Sequence, residues 1–221
     1  MCGRFNVTSS MQQVAQVLQA KIPDLMETSI RLPDYNIAPT HAIAAATQDR
    51  EREIGVFRWG LLPSWATDPR MGSRLINARS ETLDTKPSFR NAFRHRRCLI
   101  PASGFYVWTG TKTPRQPWHI YQTNGALLMM AGLWESHPEF GYTCTIITCA
   151  PSNWMAQYHN RMPVFLEHRT WDTWLNPTAN AAALKPLLKA PGEDLLVANP
   201  ISSIVNNPRN NRPDVLRPLL I

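Results

Sequence analysis

The sequence predicts an α+β fold, a single domain around a curved, barrel-like, mainly antiparallel β-sheet with flanking helices. Two observations carry this. From Arg97 onward the chain is a succession of short apolar runs separated by turn signals, the pattern of a curved sheet or barrel. Across all 221 residues no repeat, low-complexity linker or boundary interrupts it, and a chain of this length buries a substantial core.

The elements follow in order. Thr8 to Ile22 reads as a helix: Thr8, Ser9 or Ser10 is available as its cap, Met11, Val14 and Leu18 recur at helical spacing, and Pro23 ends it. The segment from Arg31 to Thr40 is a loop that its prolines hold extended. Ala42–Gln48 and Glu53–Trp59 are two strands around a polar turn. Gly60 to Arg74, rich in Pro and Gly and carrying Trp65, is a loop of functional length. Ile76 to Thr82 leads into a basic helical stretch through Arg96. Cys98–Pro101, Gly104–Trp108, Trp118–Gln122, Ala126–Trp134 and Tyr142–Thr148 are strands. Ser152–Tyr158 is a short helix that delivers His159, and Glu167–Leu175 and Ala179–Lys189 are helices. Leu195–Ala198 and Ile201–Val205 in the tail are strand-like.

No segment approaches the ~20 apolar residues that span a bilayer, and the N-terminus lacks the basic and apolar regions of a signal peptide. The four cysteines form no CxxC pair and no metal spacing, and Cys98, Cys144 and Cys149 sit in apolar runs as buried thiols. A cytoplasmic, reducing setting follows, with no cofactor, no metal, no membrane contact and a monomeric state expected. The net charge of +7 favours an anionic partner. The basic residues gather at Arg90, Arg94, Arg96 and Arg97 with His95, and at Arg209, Arg212 and Arg217. Eight tryptophans add aromatic faces on which unpaired bases stack.

The N-terminus carries the chemistry. Cys2 is small enough to let a methionine aminopeptidase remove Met1, leaving an α-amine and a thiol on adjacent carbons. Their ordinary pKa values are about 8 and about 8.5. Such a 1,2-aminothiol attacks carbonyls through its thiolate, or condenses with an aldehyde to an imine that the thiol closes into a thiazolidine. The ordinary alternative is a small residue after the start codon.

Four segments give this chemistry a context. They are Cys2-Gly3-Arg4-Phe5; Tyr35-Asn36-Ile37-Ala38-Pro39-Thr40; Trp59-Gly60-Leu61-Leu62-Pro63-Ser64-Trp65 with Ile76-Asn77-Ala78-Arg79-Ser80-Glu81-Thr82; and Cys98 through Tyr106, followed by His159-Asn160-Arg161-Met162-Pro163. In this order and spacing they resemble the SRAP family (SOS-response-associated peptidase), over nearly the whole chain. The resemblance implies a sensor and shield of abasic sites in single-stranded DNA, in which the N-terminal cysteine captures the sugar aldehyde as a thiazolidine crosslink. It implies that Asn77 hydrogen-bonds near the reacting sugar and that His159, with a pKa near neutrality, assists proton transfer. It implies that Arg4, Arg79 and Arg161 hold phosphates, that Trp65 with Pro39 lines the path of the strand, and that Thr148 joins this DNA-binding set. Ordinary roles stand beside these: His159 as a helix cap, Asn77 holding a turn, Arg79 paired with Glu81.

One position departs from the family. Where its members usually read Gly-Phe-Tyr-Glu-Trp, this chain reads Gly104-Phe105-Tyr106-Val107-Trp108. Val107 suits a strand but moves no proton, and losing a positioned acid–base group costs about 10²- to 10⁴-fold in rate. Crosslinking is expected to survive more slowly and its reversal to suffer more, with Glu81 and Glu135 as candidate substitutes. Two other classes remain: a non-catalytic module for single-stranded or junction DNA, and a glutamine amidotransferase of the N-terminal-cysteine type. The second needs an oxyanion hole and a glutamine-binding set that the sequence does not display.

Overall fold

A computed structural model describes residues 2–23, 30–111, 113–192 and 195–219. Its strands are β1 Phe5–Val7, β2 Asp34–Ile37, β3 Ala42–Gln48, β4 Arg52–Trp59, β5 Asn77–Arg79, β6 Arg97–Ala102, β7 Gly104–Thr109, β8 Gln116–Gln122, β9 Leu128–His137, β10 Gly141–Cys149, β11 Met162–Pro163 and β12 Leu196–Pro200. The helices are short: α1 Met11–Leu18, α2 Arg70–Arg74, α3 Arg90–His95, α4 Asn153–Ala156, α5 Trp171–Leu175 and α6 Ala181–Leu184.

The strands form two sheets around a main buried core, with a smaller cluster around Tyr106 beside it. In one, β10, β4, β3, β6 and β9 run in that order and β9 pairs back onto β10, closing a five-stranded barrel. Cys144 marks the closure, paired with Trp59 on one side and Trp134 on the other. The β10–β4 pairing is parallel and the rest of the ring antiparallel. The expected curved barrel is therefore present. Beside it stands a second, wholly antiparallel sheet in the order β12, β8, β7, β1, β2.

Local chemistry explains the main differences from the sequence reading. Helix α1 starts at Ser10, whose hydroxyl accepts from Gln13 N–H while the Gln13 side chain returns to Ser10 N–H, a capping box. It ends at Gln19 in the left-handed region (φ 51°), before Pro23, because Lys21 leaves to bridge Glu53. The extended loop before Thr40 contains β2, paired to β1. The basic stretch is helical only in α3, and β5 precedes it. Residues 203–206 form a 3₁₀ turn where a strand is expected, since Ile201 makes only a single bridge, to Pro218. Pro186 confines the expected Ala179–Lys189 helix to α6 and a 3₁₀ turn. Among the described residues no helix is long and apolar enough to cross a membrane.

The basic run proves to be divided between interior and surface. Arg97 is buried and donates to the carbonyls of Phe93 (2.7 Å), Trp174 (2.7 Å) and Asn176, satisfying the C-terminal ends of α3 and α5. Burial lowers its pKa to about 10. Arg96 pairs with the buried Glu135 at 2.7 Å. Only Arg90, Arg94 and His95 of this run face solvent.

A buried polar pair lies between β1 and β8. His119 Nε2 stands 2.9 Å from Asn6 Nδ2, whose amide donates to it, so the ring is neutral. Gly104 makes room, since a Cβ there would come within 2.8 Å of Ile120 O and collide with the imidazole. Burial lowers the His119 pKa from 6.5 to about 4. The unfolded chain takes up this proton near pH 6.5 and the fold resists it, so the contribution is full above pH 6.5 and lost as pH falls toward 4. Its size is about 3 kcal/mol. The urea midpoint is expected to fall between pH 7 and pH 4.5, and His119→Gln should flatten that slope; an unchanged slope in the variant would remove His119 as the cause.

Candidate active site

Cys2 reaches the core through a chain of local contacts. Phe5, three residues on, meets the fully buried Trp59 edge-on at 5.2 Å. Tyr106 N–H donates to Arg4 O at 3.0 Å, extending the β1–β7 pairing toward the terminus. The Arg4 guanidinium donates from Nη1 to Asn36 Oδ1 (2.7 Å) and Val205 O (2.9 Å), with its carbon 5.9 Å from the Trp108 ring centroid. It thus ties the N-terminal segment to β2 and the C-terminal tail. Asn77 Nδ2 then donates to Cys2 O at 2.7 Å. Cys2 is 1% exposed, and burial pushes its thiol up to about 12. Space opens beside it, because a Cβ on Gly3 would meet no atom within 4 Å.

The strand that closes the barrel also gathers the remaining polar groups. Beyond its pairing with β4, β10 takes up β5 in parallel, with Asn77 opposite Ile146 and Arg79 opposite Thr148. The same Thr148 is paired with Pro163 of β11. Between β10 and β11, α4 is capped by Ser152 Oγ, which accepts from Met155 N–H. His159 follows, its N–H bonded to Met155 O at 3.0 Å. Its Nδ1 lies 3.0 Å from Arg161 N and 3.1 Å from Arg161 O. Burial lowers its pKa below the usual imidazole value. The Arg161 fork donates to both oxygens of Glu81, at 2.5 and 2.9 Å, and to Thr148 O at 2.6 Å. Hydrogen bonding from Arg161 holds the Glu81 carboxyl below its usual pKa. Thr148 is fully buried, with its hydroxyl 3.4 Å from Arg161, and so sits beneath the arginine.

A family model described as SOS response associated peptidase (SRAP) matches residues 1–208. The chain belongs to the SRAP family. The abasic site processing protein YoaM of Bacillus subtilis (strain 168) is 39% identical over 223 residues, which cover 98% of this chain and 97% of YoaM. The abasic site processing protein HMCES of Xenopus tropicalis is 33% identical over 204 residues, covering 77% of this chain and 59% of that protein. A crystal structure of a Bacteroides thetaiotaomicron protein superposes with a TM-score of 0.88 at 25% identity, over 99% of this chain and 100% of that one.

Within this SRAP chain, Val107 lies in strand β7 and is buried. Val107 and Phe105 face the buried cluster that contains Cys2, whereas Tyr106 packs into a separate cluster with Ile201, Val205 and Val215. Continuing the register from Phe5 opposite Phe105 puts Gly3 opposite Val107. Both glutamates weighed as substitutes are committed to arginines, Glu81 to Arg161 and Glu135 to Arg96. The Glu81 partner is thus Arg161, not Arg79, which is exposed at the end of β5. No local pattern foretells that pair, because its members are 80 residues apart in sequence.

Pro39 and Trp65 lie apart from this cluster of bonds. Pro39 is half-buried in the turn where His41 N–H returns to Ala38 O and Thr40 takes φ 74°. Thr40 N–H donates to Trp59 O, so the turn rests on the tryptophan that Phe5 also touches. Trp65 is 59% exposed. It borders a cavity of 380 Å³ together with Pro63, Arg90, Asn91, Arg94 and Glu135.

Burial and the Asn77 bond together shield the Cys2 thiol. Asn77→Ala removes the donor to Cys2 O, so Cys2 should react about tenfold faster with iodoacetamide at pH 8, followed by peptide mass, while Cys98 and Cys144 stay inert. An unchanged Cys2 rate would mean that Asn77 does not hold the terminus.

Proposed function

We propose that this SRAP protein recognises abasic sites in single-stranded DNA and captures them covalently through Cys2 after Met1, which lies outside the described residues, is removed. The observation that carries this is the Asn77 bond to Cys2 O. It holds the residue bearing both amine and thiol against the strand that also supports His159 and Arg161. The printed names of the relatives, abasic site processing proteins, supply the substrate class.

The chemistry follows from the two groups. The ring-opened sugar presents an aldehyde at C1′. The Cys2 amine adds to that carbon and water leaves, giving an imine. The thiol then adds across C=N, forming the C–S bond while its proton passes to nitrogen, and the thiazolidine closes. The order amine first, thiol second suits a thiol whose pKa burial raises. The same burial disfavours the amidotransferase reading, which begins with thiolate attack. His159 moves the protons, and its lowered pKa keeps it neutral and able to accept at physiological pH. Arg79, exposed beside Asn77, is the phosphate contact nearest Cys2 in this reading, Arg161 supports His159, and Arg4 braces the N-terminal segment. Trp65 with Arg90 and Arg94 provides a stacking face and positive charge further along the strand, and Pro39 shapes the path between.

Val107 favours one second reading, a module that binds the same strand without reacting. The discriminating experiment is a denaturing gel of the protein with single-stranded DNA carrying one abasic site, with intact mass on the same sample. A heat-stable band is expected from protein lacking Met1 and none from Cys2→Ala. No band from processed wild-type protein would overturn covalent capture in favour of the binding module. Val107→Glu should form the band about 10²-fold faster or more; an equal rate would show that the missing carboxylate does not limit the reaction.

A further inference from the structure

His159 is held in an unusual way. One ring nitrogen, Nδ1, faces both the N–H (3.0 Å) and the C=O (3.1 Å) of a single residue, Arg161. When Nδ1 is bare it accepts from the N–H; when it carries a proton it donates to the C=O. The imidazole therefore keeps its orientation in either protonation state, provided the Arg161 peptide itself does not move. That peptide is anchored by the side chain of the same residue, through two parallel bonds to Glu81 and one to Thr148 O. Bidentate arginine–carboxylate pairs fix geometry as well as charge. Glu81 lies in the 3₁₀ turn immediately after β5, four residues from Asn77, so the clamp links the segment that holds Cys2 to the segment that holds His159.

We propose that Glu81 is a positioning residue for capture of the abasic site: by clamping Arg161 it fixes the peptide that orients His159. The proposal rests on the reading of Cys2 and His159 given above. Glu81 does not transfer the proton itself, since its carboxylate is occupied by Arg161. It makes part of the provision for acid–base chemistry that Val107 withholds.

A double-mutant cycle tests this, with ring-nitrogen NMR of ¹⁵N-histidine-labelled protein beside it. Glu81→Gln should slow crosslinking to abasic single-stranded DNA about tenfold in the wild-type background and by less than about twofold in a His159→Gln background. The His159 nitrogens, assigned by their loss in His159→Gln, should shift in Glu81→Gln as the ring loses its fixed orientation against the Arg161 peptide. Equal slowing in both backgrounds, or an unchanged His159 spectrum, overturns the proposal. Should Glu81→Gln not fold, Glu81→Asp, one methylene shorter and unable to meet both fork nitrogens, gives the same two readings. If wild-type protein forms no crosslink, the proposed function fails, and the His159 spectrum still decides whether Glu81 orients the ring.

Discussion

The Trp59 indole is the contact on which the rest of this structure depends. It is fully buried at the end of β4, touches Phe5 of the second sheet edge-on, and donates from Nε1 to Ile76 O at 2.9 Å. Its backbone carbonyl accepts from Thr40, and its position in β4 is paired with Cys144 at the barrel closure. One residue thereby fixes the β1 segment behind Cys2, the approach to β5 that presents Asn77, and the turn bearing Pro39. A buried aromatic of this kind stabilises a fold by about 3–5 kcal/mol relative to alanine. Here that energy also sets the distance between two sheets, so the geometry at Cys2 depends on it.

The positive charge of the chain is less available than its total suggests. Arg97 bonds the carbonyls at two helix ends, Arg4 braces three segments of backbone, and Arg96 and Arg161 are each paired with a glutamate. In these places arginine serves as a rigid fork of donors for backbone carbonyls and carboxylates. Arg79, Arg90 and Arg94 are among the arginines that stay exposed. They flank two separate features, the Asn77–Cys2 contact and the cavity beside Trp65.

Burial governs the chemistry that the terminus offers. Raised to about 12 by burial, the Cys2 thiol is almost wholly protonated at neutral pH. The interior that protects the thiol also accommodates Val107, because a β-branched apolar side chain fits a strand facing the Cys2 cluster without a partner. A carboxylate at that point would need hydrogen bonds or a counter-charge. The polar groups instead stand to one side, on β5, β10 and the segment leading into β11.

The sequence by itself determined the α+β class, the closed strand-rich half and the identity of the candidate residues. Alternating and apolar runs specify strands, and Cys2, Asn77 and His159 sit in segments whose order is legible without coordinates. The resemblance to the family also made Val107 conspicuous, because it stands where the family usually has a glutamate. Several other features were decided only by tertiary structure. β1, β2 and β5 are too short to announce themselves and exist through partners far away in the chain. Helix α1 ends where Lys21 joins Glu53, not where proline forces it. Whether an arginine is a surface charge or an internal clamp depends on which carbonyls and carboxylates folding brings to it, and Arg4, Arg97 and Arg161 look alike in sequence to Arg90 and Arg94. The physical reason is common to all of these. Local propensity and periodicity are properties of neighbouring residues, whereas a hydrogen bond such as Arg161 to Glu81 joins positions that only the closed barrel places side by side.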